Sequence, residues 1–278
     1  MENQREYTLQ GIDVSRYQGT IDWEKAAKGK DFAIVRAGYG RYENQADPCL
    51  KVNIEGAYRA GLKNLGVYWY SYAASEEEAR KEAETCIAVI APYKEKLNLP
   101  VFFDQEYEPA ILAAGRAVRT ACCRAFCEKV SAAGYRAGMY GSQDWLQNKI
   151  DLSGLPEGTV VWCARYGAEP EVEHTVWQYT SAGKVDGIKG NVDLDRAEAS
   201  LLPKAEMRWV KTDKGWTYGD YKNRWGWLGG NWYWFDGEGI AVTGWRKVQG
   251  VWYYFLTEKD AALTGYKESC CMERADEP

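Results

Sequence analysis

Two carboxylates stand two residues apart at the end of an apolar run, Pro100-Val-Phe-Phe-Asp104-Gln-Glu106-Tyr. In an extended strand that spacing turns both side chains to one side, about 6.6 Å apart along the backbone. Two negative charges at about 6 Å repel by roughly 2–3 kcal/mol at an effective dielectric near 20. The repulsion favours a proton on one of them and splits the pair into a proton donor and an anion. Cleavage of a glycosidic bond uses that combination: an acid for the leaving oxygen and a carboxylate facing the developing oxocarbenium ion. A strand-capping pair held by Arg or Lys would read the same, so the chemistry needs further partners.

Other acids supply them. Asp13 closes an early apolar run in Gly-Ile-Asp-Val-Ser, and Asp193 lies in Asn-Val-Asp-Leu-Asp. If the runs are strands of one barrel, all four acids converge on the carboxyl-terminal rim, where such barrels keep their chemistry. Aromatics at Tyr68–Tyr72, Tyr140, Trp162 and Trp177–Tyr179 would wall the same cleft. Clustered carboxylates also suit Mg²⁺ or Ca²⁺, but the surroundings are aromatic rather than rich in further oxygen ligands, and no metal or cofactor is expected. The single histidine, His174, sits among charged residues before a strand and reads as a surface residue, which leaves Ser-His-Asp and Cys-His mechanisms without a base.

The elements that must position these acids are legible from residues 8 to 200. Eight short apolar runs are candidate strands: Gly11–Ser15, Phe32–Tyr39, Leu65–Tyr72, Pro100–Glu106, Arg136–Gly141, Val160–Tyr166, Thr175–Thr180 and Asn191–Asp195. Their β-branched and aromatic bias suits buried parallel strands. Helical stretches separate the earlier runs, one at Ser75–Ala91 opened by a capping box of Ser75 and Glu78, another at about Ile111–Ala133. The last runs are too close together for crossover helices. The pattern predicts an α/β fold, an irregular TIM-like barrel of about eight strands whose second half has lost helices. An open doubly wound sheet is the alternative, although no glycine-rich phosphate loop follows the first strand.

Composition narrows the function. Hydrophobic residues make up 46% and charged residues 27% of the 278, which is globular rather than disordered. The net charge of -5 disfavours nucleic acid as a ligand. The 13 Trp and 20 Tyr against 6 Phe favour surfaces that stack on sugars and hydrogen-bond at the rim. The start, MENQREYTLQGIDVS, contains no signal-peptide core, and no run of about 18 apolar residues predicts a membrane span or membrane insertion. Work outside the cell would then require release through a pore made by another protein, or another export route. The eight cysteines lack zinc-ligand spacing with histidine and are read mostly as free thiols.

From residue 209 the texture changes. Trp209, Trp225 and Trp245 are each followed seven residues on by Trp216, Trp232 and Trp252, and two units close with Thr243-Gly244-Trp245 and Thr264-Gly265-Tyr266. A period near twenty predicts stacked hairpins, turned by segments such as Gly229-Gly230-Asn231, because one hairpin cannot bury its aromatics alone. The expected organisation is a catalytic barrel at 1–203, a linker at 204–208, a small all-β hairpin-repeat module at 209–268 and a tail at 269–278.

Residues 8–202 resemble the family 25 glycoside hydrolases, lysozymes of the phage endolysin and bacterial autolysin type. The resemblance rests on GIDVSRYQGTIDW, FAIVRAGYG, GVYWYSYA, PVFFDQE, YRAGMYGS and WQYTSAGKVDGIKGNVDLD, which occur in the family order. It implies hydrolysis of the β-1,4 bond between N-acetylmuramic acid and N-acetylglucosamine in bacterial peptidoglycan. Carried over by position, Glu106 resembles the general acid and Asp104 the carboxylate that attacks the sugar or orients its N-acetyl group. Asp13 and Asp193 resemble the remaining catalytic acids, while Arg36, Tyr68, Tyr70, Tyr140, Trp162 and Gln178 are expected to bind substrate. Gln105 departs from the family, which usually has an apolar residue there, and is expected to face away from the cleft. The repeats resemble choline- and glucan-binding wall anchors. Trp225, Trp232, Trp245, Trp252 and Tyr254 are the candidates for a cation–π cage around a quaternary ammonium, with teichoic acid or wall glycan as alternative ligands. A non-catalytic wall-binding protein and a hexosaminidase acting on chitin-like chains are the rival functions.

Overall fold

The computed structural model describes residues 5–203, 207–260, 269, 270 and 272–274. The chain forms two compact units, Met1–Pro203 and Lys204–Pro278.

The first unit is a closed barrel of eight strands in chain order. They are β1 (Leu9–Val14), β2 (Phe32–Tyr39), β3 (Leu65–Tyr70), β4 (Val101–Asp104), β5 (Ala137–Ser142), β6 (Val160–Ala164), β7 (Val176–Gly183) and β8 (Val192–Ala197). Strands β1 to β7 pair in parallel, but β8 runs antiparallel to both β7 and β1. The expectation of parallel strands therefore fails for β8: the short connection from Gly183 to Val192 leaves no room for a crossover, and the chain turns straight back.

Alternation along each strand sorts the side chains. Outward positions such as Val35, Val67, Phe103 and Met139 join Ile54, Ala83, Cys86 and Phe126 in the larger apolar core. Those partners lie on three helices, α2 (Leu50–Arg59), α3 (Glu76–Ile90) and α5 (Gly115–Ala132); the other two are α1 (Trp23–Ala26) and α4 (Pro109–Ala113). Inward positions Phe32, Ile34, Phe102, Trp162, Val176 and Ala197 form a second cluster. Gly11 makes room for it, since a Cβ there would stand 2.3 Å from the Phe32 ring. One end of the barrel interior is thus filled with hydrocarbon.

Two helical details differ from expectation. Ser75 does accept from the Glu78 N–H at 3.3 Å, but the Glu78 carboxylate reaches past the cap to the Ala74 N–H at 3.0 Å, so the box is half made. The single helix expected over 111–133 is broken into α4 and α5 at Gly115, whose φ of 77° is left-handed. Within the first unit, the named helical elements beyond β5 are a π turn (Trp145–Lys149) and short 3₁₀ turns.

The second unit is built from hairpins: β9 (Trp209–Thr212) with β10 (Gly215–Tyr218), β11 (Arg224–Leu228) with β12 (Asn231–Phe235), and β13 (Gly244–Val248) with β14 (Val251–Phe255). A short β15 (Met272–Arg274) adds to β14. Gly229-Gly230 and Gln249-Gly250 have positive φ at both residues, which gives the turn a twist that suits two-residue hairpins. The first Trp of one hairpin packs on the next: Trp209 lies 4.8 Å from Tyr233 and Trp225 lies 4.8 Å from Tyr253, centroid to centroid. This repeated contact supplies the burial that a lone hairpin lacks. The expected closure at Thr264-Gly265-Tyr266, and Cys271, lie outside the described residues.

Candidate active site

At the other end of the barrel interior the inward side chains become polar. Asp13 on β1, Arg36 on β2, Tyr68 and Tyr70 on β3, Asp104 on β4, Tyr140 on β5, Trp162 on β6, Gln178 on β7 and Asp193 on β8 all line one cavity of about 390 Å³. Glu106, just past the end of β4, lines it too. The four candidate acids and the six candidate substrate-binding side chains of the barrel are therefore brought to one place. Asp193 arrives there for a reason the sequence reading missed. Because β8 is reversed, its beginning, not its end, lies beside the end of β1, and Asp193 pairs directly with Asp13.

Alternation also corrects the aromatic wall. Gln178 faces the cavity, so its neighbours Trp177 and Tyr179 face away; Trp177 donates its indole N–H to the Arg165 carbonyl at 2.7 Å, and the two rings lie against the Arg196 guanidinium. Trp69 is turned outward and donates to the Gly40 carbonyl at 2.8 Å. Tyr17, outside the candidate strands, and Tyr166, at the end of one but not among the candidate site residues, complete the lining with Tyr72. Gln105 is wholly buried and accepts from the Cys123 thiol at 3.3 Å; it lines a second cavity of about 310 Å³ that shares Glu106, Tyr140 and Tyr166 with the first.

The carboxylates are crowded and dry. Burial pushes Asp104 well above the ordinary carboxylate range, helped by the Glu106 charge, and burial raises Glu106 as well. The Arg36 guanidinium opposes both shifts. Asp104 and Glu106 are within hydrogen-bonding reach of one another, so the dyad retains a proton that two ionised groups would lack. On the facing wall Asp13 is raised well above its ordinary value by burial and by its acidic neighbours Asp195 and Asp193. Tyr140 and Tyr166 donate to the Gln178 carbonyl oxygen at 3.1 and 2.9 Å, which points the Gln178 amide N–H at Asp13, 2.8 Å away. Arg36 is stacked against Tyr39 and Tyr70 rather than ion-paired among the described residues, which leaves its charge free to act on the dyad. A buried acid–anion pair with aromatic walls can protonate a glycosidic oxygen and stabilise the cation left behind.

The loop that carries Tyr72 is anchored from below. Glu82 on α3 is only 2% exposed and accepts the Tyr72 N–H at 2.9 Å. Burial raises its carboxyl to about 7, from 4.5 when exposed. The folded state thus holds a proton that the unfolded chain has already lost, and its stabilising effect is lost as pH rises through about 7. Glu82→Gln should accordingly melt higher than the native chain at about pH 8, by about 3 kcal/mol of stability, with the gap closing near pH 4.5. Equal gaps at both pH values in thermal melts would contradict this.

His174 is not at the surface. It is 2% exposed, with its ring nitrogens 2.7 Å from the Val172 carbonyl and 2.6 Å from the Tyr7 hydroxyl. Its charged neighbours point outward while the segment from Arg5 to Tyr7 covers the ring, and burial lowers its pKa. Seven cysteines are free thiols among the described residues.

Among the five aromatics singled out in the repeats, Trp225 and Trp232 meet edge to face at 6.1 Å, with Tyr253 of the next hairpin 4.8 Å from Trp225. Trp209 and Trp216 meet at 6.5 Å with Tyr233 in the equivalent place, a corner that sequence reasoning missed. Trp245 stands across the strand pair from Tyr254, whose hydroxyl donates to Asp260 at 2.7 Å, and Lys247 lies over Trp252.

Residues 222–265 match the choline-binding repeat. The chain is 26% identical over 206 residues to Lysozyme M1 of Streptomyces globisporus, covering 69% of this chain and 68% of that protein. Among solved structures, the modular autolysin LytC of Streptococcus pneumoniae is 28% identical with a TM-score of 0.60, over 68% of this chain but 46% of its own. The bacterial lysozyme of Streptomyces coelicolor is 25% identical with a TM-score of 0.59, over 70% of this chain and 94% of its own. The described residues contain no helix long and apolar enough to cross a membrane. Residues 12–188, more than half of the chain, match the glycosyl hydrolases of family 25, and with the barrel and its carboxylate cleft in place the chain belongs to that family.

Proposed function

We propose that the protein is a peptidoglycan N-acetylmuramidase, a lysozyme that acts at the bacterial cell wall. The observation that carries the reading is the meeting of the Asp104–Glu106 dyad with Asp13 and Asp193 in one aromatic cavity. Glu106 gives its proton to the oxygen of the β-1,4 bond as the bond to the muramic acid anomeric carbon breaks. Asp104 faces the positive charge that develops there, either attacking the carbon or holding the substrate N-acetyl group so that its carbonyl oxygen attacks. Water then completes the hydrolysis and returns a proton to Glu106. Arg36 and the tyrosines hold the sugar against the acids. Purified walls should lose turbidity under the protein while soluble chitin oligomers turn over more slowly. The opposite preference would assign a chitin-type hexosaminidase, and binding without turnover of either would assign a wall-binding protein.

The domain limits support a division of labour: a catalytic barrel at 1–203 and a wall-binding module from 209 onward. The right-angled corner of Trp225 and Trp232, with Tyr253 packed on Trp225, supports a cation–π site for a quaternary ammonium, the cation that choline-bearing teichoic acid would present. Cation–π contacts contribute about 0.5–2 kcal/mol each. Trp232→Ala should therefore weaken choline binding by about 3–30-fold in a fluorescence titration. Unchanged affinity, or no quenching of the native chain by choline, would leave wall glycan as the ligand.

A further inference from the structure

Beneath the cleft floor lies an acid that the mechanism above does not use. Asp195 follows Asp193 by two residues on β8, so it points into the barrel one step deeper, and it is 0% exposed. The Trp162 indole N–H donates to its Oδ1 at 2.9 Å, while its Oδ2 has no donor among the described residues. Asp13 lies within hydrogen-bonding reach. The side chains that bear on Asp195 are Trp162, Asp193 and Asp13, none of them a cation. A second ionised carboxylate here would be dry, uncompensated and beside two others, which is among the costliest arrangements a fold can bury.

We infer that Asp195 is a positioning residue that shares one proton with Asp13 in a carboxyl–carboxylate hydrogen bond, so that the pair carries a single negative charge. The surrounding hydrogen bonds agree in direction. Tyr140 and Tyr166 fix Gln178 so that its amide donates to Asp13, and Trp162 fixes Asp195 so that its second oxygen is left to meet Asp13. Asp13 is then held from both sides and can turn neither way, which sets the angle at which it meets the cleft. Other titratable or charged groups around the pair are Asp193 on the same strand, Asp104 on β4, Tyr68 on β3 and Arg36 on β2. Burial raises both Asp13 and Asp195 well above the ordinary carboxylate range, in keeping with one proton held between them.

The functional side of this inference rests on the muramidase reading, so the test has one readout that needs no turnover. The infrared difference spectrum of the native chain minus Asp195→Asn at neutral pH should show the carbonyl stretch of one protonated carboxyl group. Carboxylate bands alone would overturn the inference whatever the enzyme cleaves, and an inactive native chain would sink the muramidase reading while leaving the band to be seen. In rate measurements on peptidoglycan, Asp195→Asn keeps a neutral donor for Asp13 and an acceptor for Trp162. It should stay within about 3-fold of native kcat/KM, whereas Asp195→Ala should lose about 10–100-fold. The acid limb of the pH profile should not move in Asp195→Asn, because no charge is removed. A displaced limb, or equal losses in the two variants, would overturn it.

Discussion

Glu106→Gln should lower the rate of wall lysis by about 10²–10⁴-fold while leaving wall binding intact. Gln is nearly the same shape and can accept the same hydrogen bonds, so the loss isolates the proton. Glu106 is the member of the dyad that stands between the two cavities, and it is the more open of the pair. Sedimentation with purified walls would check that binding survives. Native-rate lysis by the variant would remove Glu106 from the acid's role and return Asp104, Asp13 and Asp193 to consideration.

Asp104→Asn should cost about 10²–10³-fold in kcat, the scale seen when a group aimed at developing charge is removed. A second signature separates this from a loss of folding. Burial and mutual repulsion hold a proton on the dyad, and the neutral amide of the variant removes the repulsion. The two carboxyls titrate as one dyad, the Glu106 charge raising Asp104 while the Asp104 hydrogen bond lowers Glu106, so the basic limb of the pH–rate profile should move in the variant. A rate loss with an unmoved basic limb would mean that the two carboxylates do not titrate as a pair.

Much of the barrel is legible in the sequence because buried strands announce themselves. Phe32–Tyr39 is continuous enough in β-branched and aromatic residues that its limits can be read directly, and the observed β2 has the same ones. The acids at strand ends are legible for the same reason: they interrupt runs that otherwise bury completely. What escapes is direction and depth. The connection after Gly183 is too short for a helix, and that shortness already implies a reversed β8, yet the apolar pattern alone puts Asp193 in the middle of a run with no direction, when it sits near the start of an antiparallel strand. Asp195 escapes because two acids at alternate positions look alike in sequence, whereas one lies at the rim and the other one layer inside. Proximity to Gln178 suggests the cleft for Trp177 and Tyr179, and the two-residue period sends them outward. The charged neighbours of His174 suggest a surface position, but its ring is covered by Tyr7, about 170 positions earlier in the chain, a contact no local pattern contains. Gly115 is a visible break in the expected helix, easily passed over because isolated glycines are tolerated in helices.

The most direct test of the central claim is mass spectrometry of purified peptidoglycan digested with this protein and reduced with borohydride. The account predicts fragments that newly end in reduced muramic acid, and their absence from a Glu106→Gln digest. Fragments ending in reduced glucosamine, or no new ends from walls that the protein binds, would contradict it.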